Sequence, residues 1–162
     1  MQIINHKLIQ TKCDEVNIKY QETPNTSSNF KPNLPDTIIL HYTGGSSLQS
    51  SANWLCNPEA KSSAHIIIGK SGDIIQLIPF NIITWHAGKS QWKERKGLNK
   101  YSIGIELDNA GILTKKENGY YTWFNNKVED KNVLIAKHPL DNKPKKPGKH
   151  TLKNKSKPPN KS

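Results

Sequence analysis

Three side chains suited to chemistry stand where short β-branched runs end or pass through, positions for which an ordinary apolar core has no use: His41 after Thr37–Leu40, His86 after Thr84-Trp85, and Glu106 within Tyr101–Leu107. A fourth, His65, opens the run Ile66-Ile67-Ile68. The stretch Ser62–Gly111 holds two of the six histidines and two of the four tryptophans. Imidazole and carboxylate groups brought together are the usual material of proton transfer and metal ligation. Several strands are therefore expected to deliver His, Trp and Glu to one place.

The elements that must position these groups follow from periodicity. Thr37–Tyr42 reads as a short buried strand by its Ile-Ile-Leu run. Gly44-Gly45 then breaks the chain, and Ser46 or Ser47 caps a helix running to about Cys56, with Leu48, Ala52 and Leu55 on one face. Ala64–Gly69 and Asp73–Ile78 form a hairpin around Lys70-Ser71-Gly72. Thr84–Gly88 is a loop or short strand that carries Trp85 and His86, and Lys89–Lys100 is polar and loop-like. In Tyr101–Leu107 the alternation assigns Ile103, Ile105 and Leu107 to the core and turns Glu106 the other way. Past Gly111, Tyr120, Tyr121, Trp123 and Phe124 make an aromatic cluster, and Glu129–His138 reads as one helix. The fold class that results is α/β, a central mixed sheet of about five strands flanked by helices.

Composition bounds the rest. A chain of 162 residues normally makes one domain with a real core, although only 33% of the residues are apolar. Residues 1–36, with Pro24, Pro32 and Pro35, read as an N-terminal arm, 37–138 as the domain, and 139–162 as a tail. The tail holds 8 of the 24 basic residues and 1 of the 13 acidic ones, so it carries +7 of the formal charge of +11. Lys, Pro and Asn with almost no apolar content is a disordered composition. A charge run is usually a solvated segment and no base-reading motif accompanies it, so nucleic acid is not the expected partner. No apolar leader opens the chain and no run approaches a membrane span. Cys13 and Cys56 form no C-x-x-C pair and read as reduced thiols, so a cytoplasmic protein is expected. A monomer is expected as well.

Four stretches then resemble one known family. His41-Tyr42-Thr43, SSAHIIIGKSGDIIQLIPF at 62–80, WHAGKSQW at 85–92 and LNKYSIGIELDNAG at 98–111 are similar, in order and spacing, to the type-2 zinc-dependent N-acetylmuramoyl-L-alanine amidases. The AmpD-like recycling branch is the nearest in character, and the family also contains phage T7 lysozyme and the peptidoglycan recognition proteins. The resemblance covers roughly residues 36–125. It implies hydrolysis of the amide between the lactyl group of N-acetylmuramic acid and L-alanine, with peptidoglycan or a muropeptide as the partner and zinc as the cofactor. It makes His41 a zinc ligand and Glu106 the catalytic residue beside the metal, as general base or electrostatic partner. Trp85, His86 and Asn109 become expected substrate-binding residues, and His65 either joins them or is a buried hydrogen-bonding residue that supports the site.

The resemblance stops before the family's closing helix and its remaining metal ligands, so the domain reads as C-terminally truncated. The second and third ligands would have to come from the tail, where Asp141 and His150 are the available donors. Ordering a Lys- and Pro-rich tail costs entropy that little apolar burial offsets, so zinc is expected to be held weakly and turnover to be low. A muropeptide-binding module without turnover is the alternative. The absent helix also implies apolar surface left open on one sheet face.

Overall fold

The computed structural model describes residues 1–12 and 15–135. In chain order its strands are β1 (Gln2–Ile4), β2 (Lys7–Ile9), β3 (Ile18–Tyr20), β4 (Thr26–Asn29) and β5 (Thr37–Tyr42), followed by helix α1 (Leu48–Leu55). Then come β6 (Ile66–Ile68), β7 (Ile74–Gln76), β8 (Ile82–Thr84), β9 (Gln91–Trp92), β10 (Arg95–Lys96) and β11 (Ser102–Leu107). A meander of β12 (Thr114–Lys116), β13 (Gly119–Tyr121) and β14 (Lys127–Val128) closes the described chain.

Five strands form the central sheet in the order β3-β7-β6-β11-β5. The β6–β7 hairpin is antiparallel, while β3 on β7, β6 on β11 and β11 on β5 are parallel, so the sheet is mixed as expected. The strands predicted near 37–42, 64–69, 73–78 and 101–107 are all present. The fifth comes from the N-terminal arm, whose residues Ile18–Tyr20 extend the sheet beside β7.

One face of the sheet is covered by α1. Ser47 is its N-cap, its side chain accepting from the Ser50 amide, and Leu48, Ala52 and Leu55 recur at helical spacing on the inward side. Ala52 and Leu55 pack with Ala64, Ile67, Ile75 and Leu77 in one buried cluster that Leu48 and Cys56 flank. Cys56 is a free, half-buried thiol. The opposite face is covered only in part. Over β7 the N-terminal hairpin closes it, with Leu8 N–H donating to Gln76 Oε1 (2.7 Å) and Gln76 Nε2 donating to the His6 carbonyl (3.0 Å). Over β5 and β11 the face stays open: Ile38 is 64% exposed, Leu40 63%, Tyr42 56% and Leu107 41%. The open apolar surface anticipated from the sequence is therefore present among the described residues.

Two expectations are corrected. In β11 the even-numbered side is the better buried one, Ser102 being fully buried while Leu107 is exposed, so Ile103, Ile105 and Leu107 do not form the core side. The physical reason is that the even side, although small and polar, faces the side chains and loop that lie on the α1 side of the sheet. The helix expected over Glu129–His138 is replaced, as far as the chain is described, by a single 3₁₀ turn at Asp130–Asn132. Leu134 and its neighbour Ile135, within the span expected to be helical, are 89% and 74% exposed, so they bury no apolar face that would hold a helix there.

Candidate active site

Strand register brings the first two groups together. Glu106 of β11 pairs with His41 of β5 on one side and with Ile67 of β6 on the other, so His41 and Glu106 share the α1-covered face. His86 reaches the same place from the loop after β8. Its ring lies over Gly104, where an added Cβ would collide with the imidazole, so glycine is what lets the ring settle onto the strand. Two backbone amides, those of His86 and Ala87, donate to Asn99 Oδ1 at 3.1 and 2.7 Å and fix the loop. Asn99 was not legible as a site residue, since an Asn in a polar loop reads first as a turn former.

The imidazoles form a chain with definable proton positions. Ser102 Oγ donates to the Leu98 carbonyl, and His86 Nε2 lies 3.3 Å from the Ser102 carbonyl and 3.2 Å from that same hydroxyl oxygen, both acceptors. The proton of His86 is therefore on Nε2, and its Nδ1 lone pair faces His41 Nε2 at 3.0 Å. Burial pushes His41 below the ordinary imidazole range, and burial together with neighbouring His41 brings His86 to about 4. Both rings are neutral at pH 7.

His65 stands beneath this pair, fully buried. Its Nδ1 accepts from the Gly104 amide at 3.0 Å and sits 3.1 Å from Thr84 Oγ1, while Nε2 donates to the Ile82 carbonyl at 2.9 Å. The ring is stacked between Phe30 and Phe80. Burial first, and the His86 ring after it, hold His65 at about 4. With every polar atom taken, it ties β8 to β11 and does not border the cavity described next.

A cavity of about 650 Å³ opens beside Glu106, between the β5–α1 turn, α1 and the tip of the meander. Glu106, His86, Trp54, Trp85, Trp123 and Phe124 border it. Glu106 Oε2 is buried without a hydrogen-bond partner among the described residues, and burial raises its pKa. A buried carboxylate oxygen left unpaired is an exception to the usual satisfaction of polar groups, and exceptions of this kind occur at catalytic sites. Trp85 is anchored by its indole N–H on Ser27 Oγ (2.8 Å) and its amide on Ser63 Oγ (2.9 Å). Asn109, by contrast, is turned into its own loop, its Oδ1 accepting from the Gly111 amide at 2.7 Å. Of the residues expected at the site, His41, His86, Trp85 and Glu106 are thus gathered at or beside the cavity, while His65 and Asn109 are held outside it.

Zinc needs at least three protein donors at a catalytic site. His41 and His86 supply two nitrogens in contact, and among the described residues no group of three His, Cys, Asp or Glu side chains comes together. These residues alone do not make a zinc site. Asp141 and His150, the remaining ligands expected from the sequence, lie outside the described residues.

The family model for N-acetylmuramoyl-L-alanine amidase matches residues 31–147, a span that takes in His41, His86 and Glu106. The chain belongs to that family. It is 43% identical over 58 residues to 1,6-anhydro-N-acetylmuramyl-L-alanine amidase AmpD of Escherichia coli, 36% of this chain and 32% of that protein. To N-acetylmuramoyl-L-alanine amidase A of Achromobacter lyticus it is 39% identical over 88 residues, 52% of this chain and 45% of that one. The chain thus spans roughly a third to just under half of the length of these relatives. Among solved structures, an AmpD derivative superposes with a TM-score of 0.53 at 23% identity, covering 72% of this chain and 71% of that chain, which shows the fold. No helix among the described residues of this amidase-family chain is long and apolar enough to cross a membrane.

Proposed function

We propose that the chain is an N-acetylmuramoyl-L-alanine amidase, hydrolysing the amide between the lactyl group of N-acetylmuramic acid and L-alanine in peptidoglycan or muropeptides. The observation that carries this reading is Glu106: a half-buried carboxylate with an oxygen that has no partner among the described residues, at the wall of a ligand-sized cavity and in register with His41. Its raised pKa suits a group that takes a proton from water and gives it to the departing amine. In that sequence water forms the new C–O bond, the C–N bond breaks, and the proton Glu106 removed ends on the nitrogen of L-alanine. His86, neutral and with its proton fixed on Nε2, holds His41 in place. Zinc enters this reading through His41, with its further donors outside the described residues. Glu106→Gln keeps size and hydrogen bonding but removes the base, so release of peptide from an N-acetylmuramyl-peptide in zinc-supplemented buffer should fall on the order of 10²-fold or more with binding intact. An unchanged rate would return Glu106 to a structural role.

The count of metal donors among the described residues favours a second reading, recognition of muropeptides without turnover. Saturable binding of an N-acetylmuramyl-peptide with no peptide released at any zinc concentration would select it.

A further inference from the structure

Between His86 and Asn99 the chain makes an excursion that the site does not use. Its β9–β10 ribbon pairs Trp92 with Arg95 and Gln91 with Lys96 across a turn at Lys93-Glu94. The base is clamped by Ser90, whose carbonyl accepts from the Gly97 amide at 2.8 Å and whose Oγ accepts from the Leu98 amide at 2.9 Å. One side is fastened to the domain: the Arg95 guanidinium donates to both oxygens of Asp36 at 2.6 and 2.8 Å and lies over the Tyr101 ring, 4.9 Å from its centroid. Gln91 Nε2 braces the turn by donating to the Lys93 carbonyl at 3.1 Å. None of residues 89–100 borders the cavity beside Glu106.

What this fastening holds out is an indole and a set of free cations. Trp92 is 67% exposed, although a ring of that size normally buries most of its surface. Lys89, Lys93, Lys96 and Lys100 are exposed on the same excursion, and among the described residues none of them pairs with a carboxylate. Residues 89–100 hold five basic side chains and one acidic one, Glu94. Asp36 neutralises Arg95, so four lysines stand against a single carboxylate. A basic run is ordinarily a solvated segment; this one is folded, pinned and carries an exposed aromatic face.

The chemistry of that surface selects an anionic chain. Lysine ammonium groups act as point charges on phosphate oxygens, and the one arginine that could read a planar anion through two bonds is already taken by Asp36. Recognition is then of charge along a flexible polymer, with the Trp92 ring facing the C–H side of a sugar or polyol between two charges. A nucleic acid strand is less well served, because strands are held by bases stacking on successive aromatics and Trp92 is the one aromatic of residues 89–100. A bilayer is less well served too, since a single indole buries little apolar area. The geometry points to a docking surface for a polyol-phosphate polymer, held by Trp92 and the four lysines apart from the cavity beside Glu106. This surface goes beyond the amidase reading and stands without it.

The test uses the full chain with ¹⁵N-labelled tryptophans, their indole signals assigned by Trp→Phe variants. It is titrated separately with poly(glycerol phosphate), with oligothymidylate and with vesicles of phosphatidylglycerol and phosphatidylcholine. Reading the Trp92 signal separates this surface from the basic residues 139–162, since binding confined to those would leave that indole unmoved. The expected result is a saturable shift of Trp92 by poly(glycerol phosphate), reversed by added salt, with Trp54, Trp85 and Trp123 unmoved. Lys93→Gln together with Lys96→Gln should weaken that binding on the order of tenfold and leave the fold intact, both side chains being exposed. A Trp92 signal unmoved by the polymer, or an affinity unchanged in the lysine variant, overturns the proposal. A Trp92 shift reached at lower phosphate concentration with oligothymidylate or with the vesicles overturns it as well. Polymer binding at Trp92 in a chain that releases no peptide from an N-acetylmuramyl-peptide would sink the amidase reading and leave this surface standing; peptide release with Trp92 unmoved would do the reverse.

Discussion

The two faces of the central sheet are built from the same five strands and have opposite fates. On the α1 side, Ile67, Ile75 and Leu77 are buried against Ala52 and Leu55, and that same face carries His41, Glu106 and the His86 ring. On the other side, Ile38, Leu40, Tyr42 and Leu107 form an apolar surface that the described chain leaves open. The difference shows that hydrophobicity alone does not decide which side of a strand becomes interior; cover does. Small and polar residues on β11 are buried because His86 and its loop lie on them, whereas larger apolar ones, with nothing packed above them, meet solvent.

The sharpest way to break the comparison is to remove volume from the covered side. Ile67→Ala deletes a fully buried side chain between α1 and the sheet and should destabilise the fold by about 2–5 kcal/mol, measured by urea unfolding. A loss as small as that of an open-face substitution would mean that the covered face is not the core.

A second difference between the faces is pH dependence, because among the described residues the buried imidazoles lie on the α1 side. The pKa of His65 in the fold is lowered to about 4 from an ordinary value near 6.5, so between those values the unfolded chain binds a proton that the folded chain does not. Stability should therefore be complete above about pH 6.5 and fall as the pH drops toward 4. His65→Gln should flatten that slope in thermal unfolding curves recorded across the range. An equally steep slope in the variant would assign the effect elsewhere.

The smallest effect on stability is expected on the open face. Leu40→Gln replaces a side chain 63% exposed and should change stability by no more than about 0.5 kcal/mol while lowering the fluorescence of the hydrophobic dye ANS. A wild-type ANS signal at the level of a fully covered domain would show that the open face is closed in solution.

The sequence made much of this legible, and the limits have physical causes. The hairpin 64–78, the helix from Ser47 and the strands bearing His41 and Glu106 each announce themselves by local periodicity or by capping. The pairing of β3 with β7 joins residues more than fifty positions apart, and nothing in Ile18–Tyr20 marks it as a sheet strand. The buried side of β11 is not legible from alternation, because Ser102 and Gly104 look like surface residues and are buried only by His86 resting on them. The role of Asn99 comes from hydrogen bonds, which spacing does not encode.

We infer that His41, His86 and Glu106 form one working centre on the covered face. The direct test is His41→Ala, with zinc retention after dialysis and peptide release from an N-acetylmuramyl-peptide measured on the same preparation. The account predicts that both fall together while the thermal transition survives. An unchanged rate of release in zinc-replete buffer would contradict it.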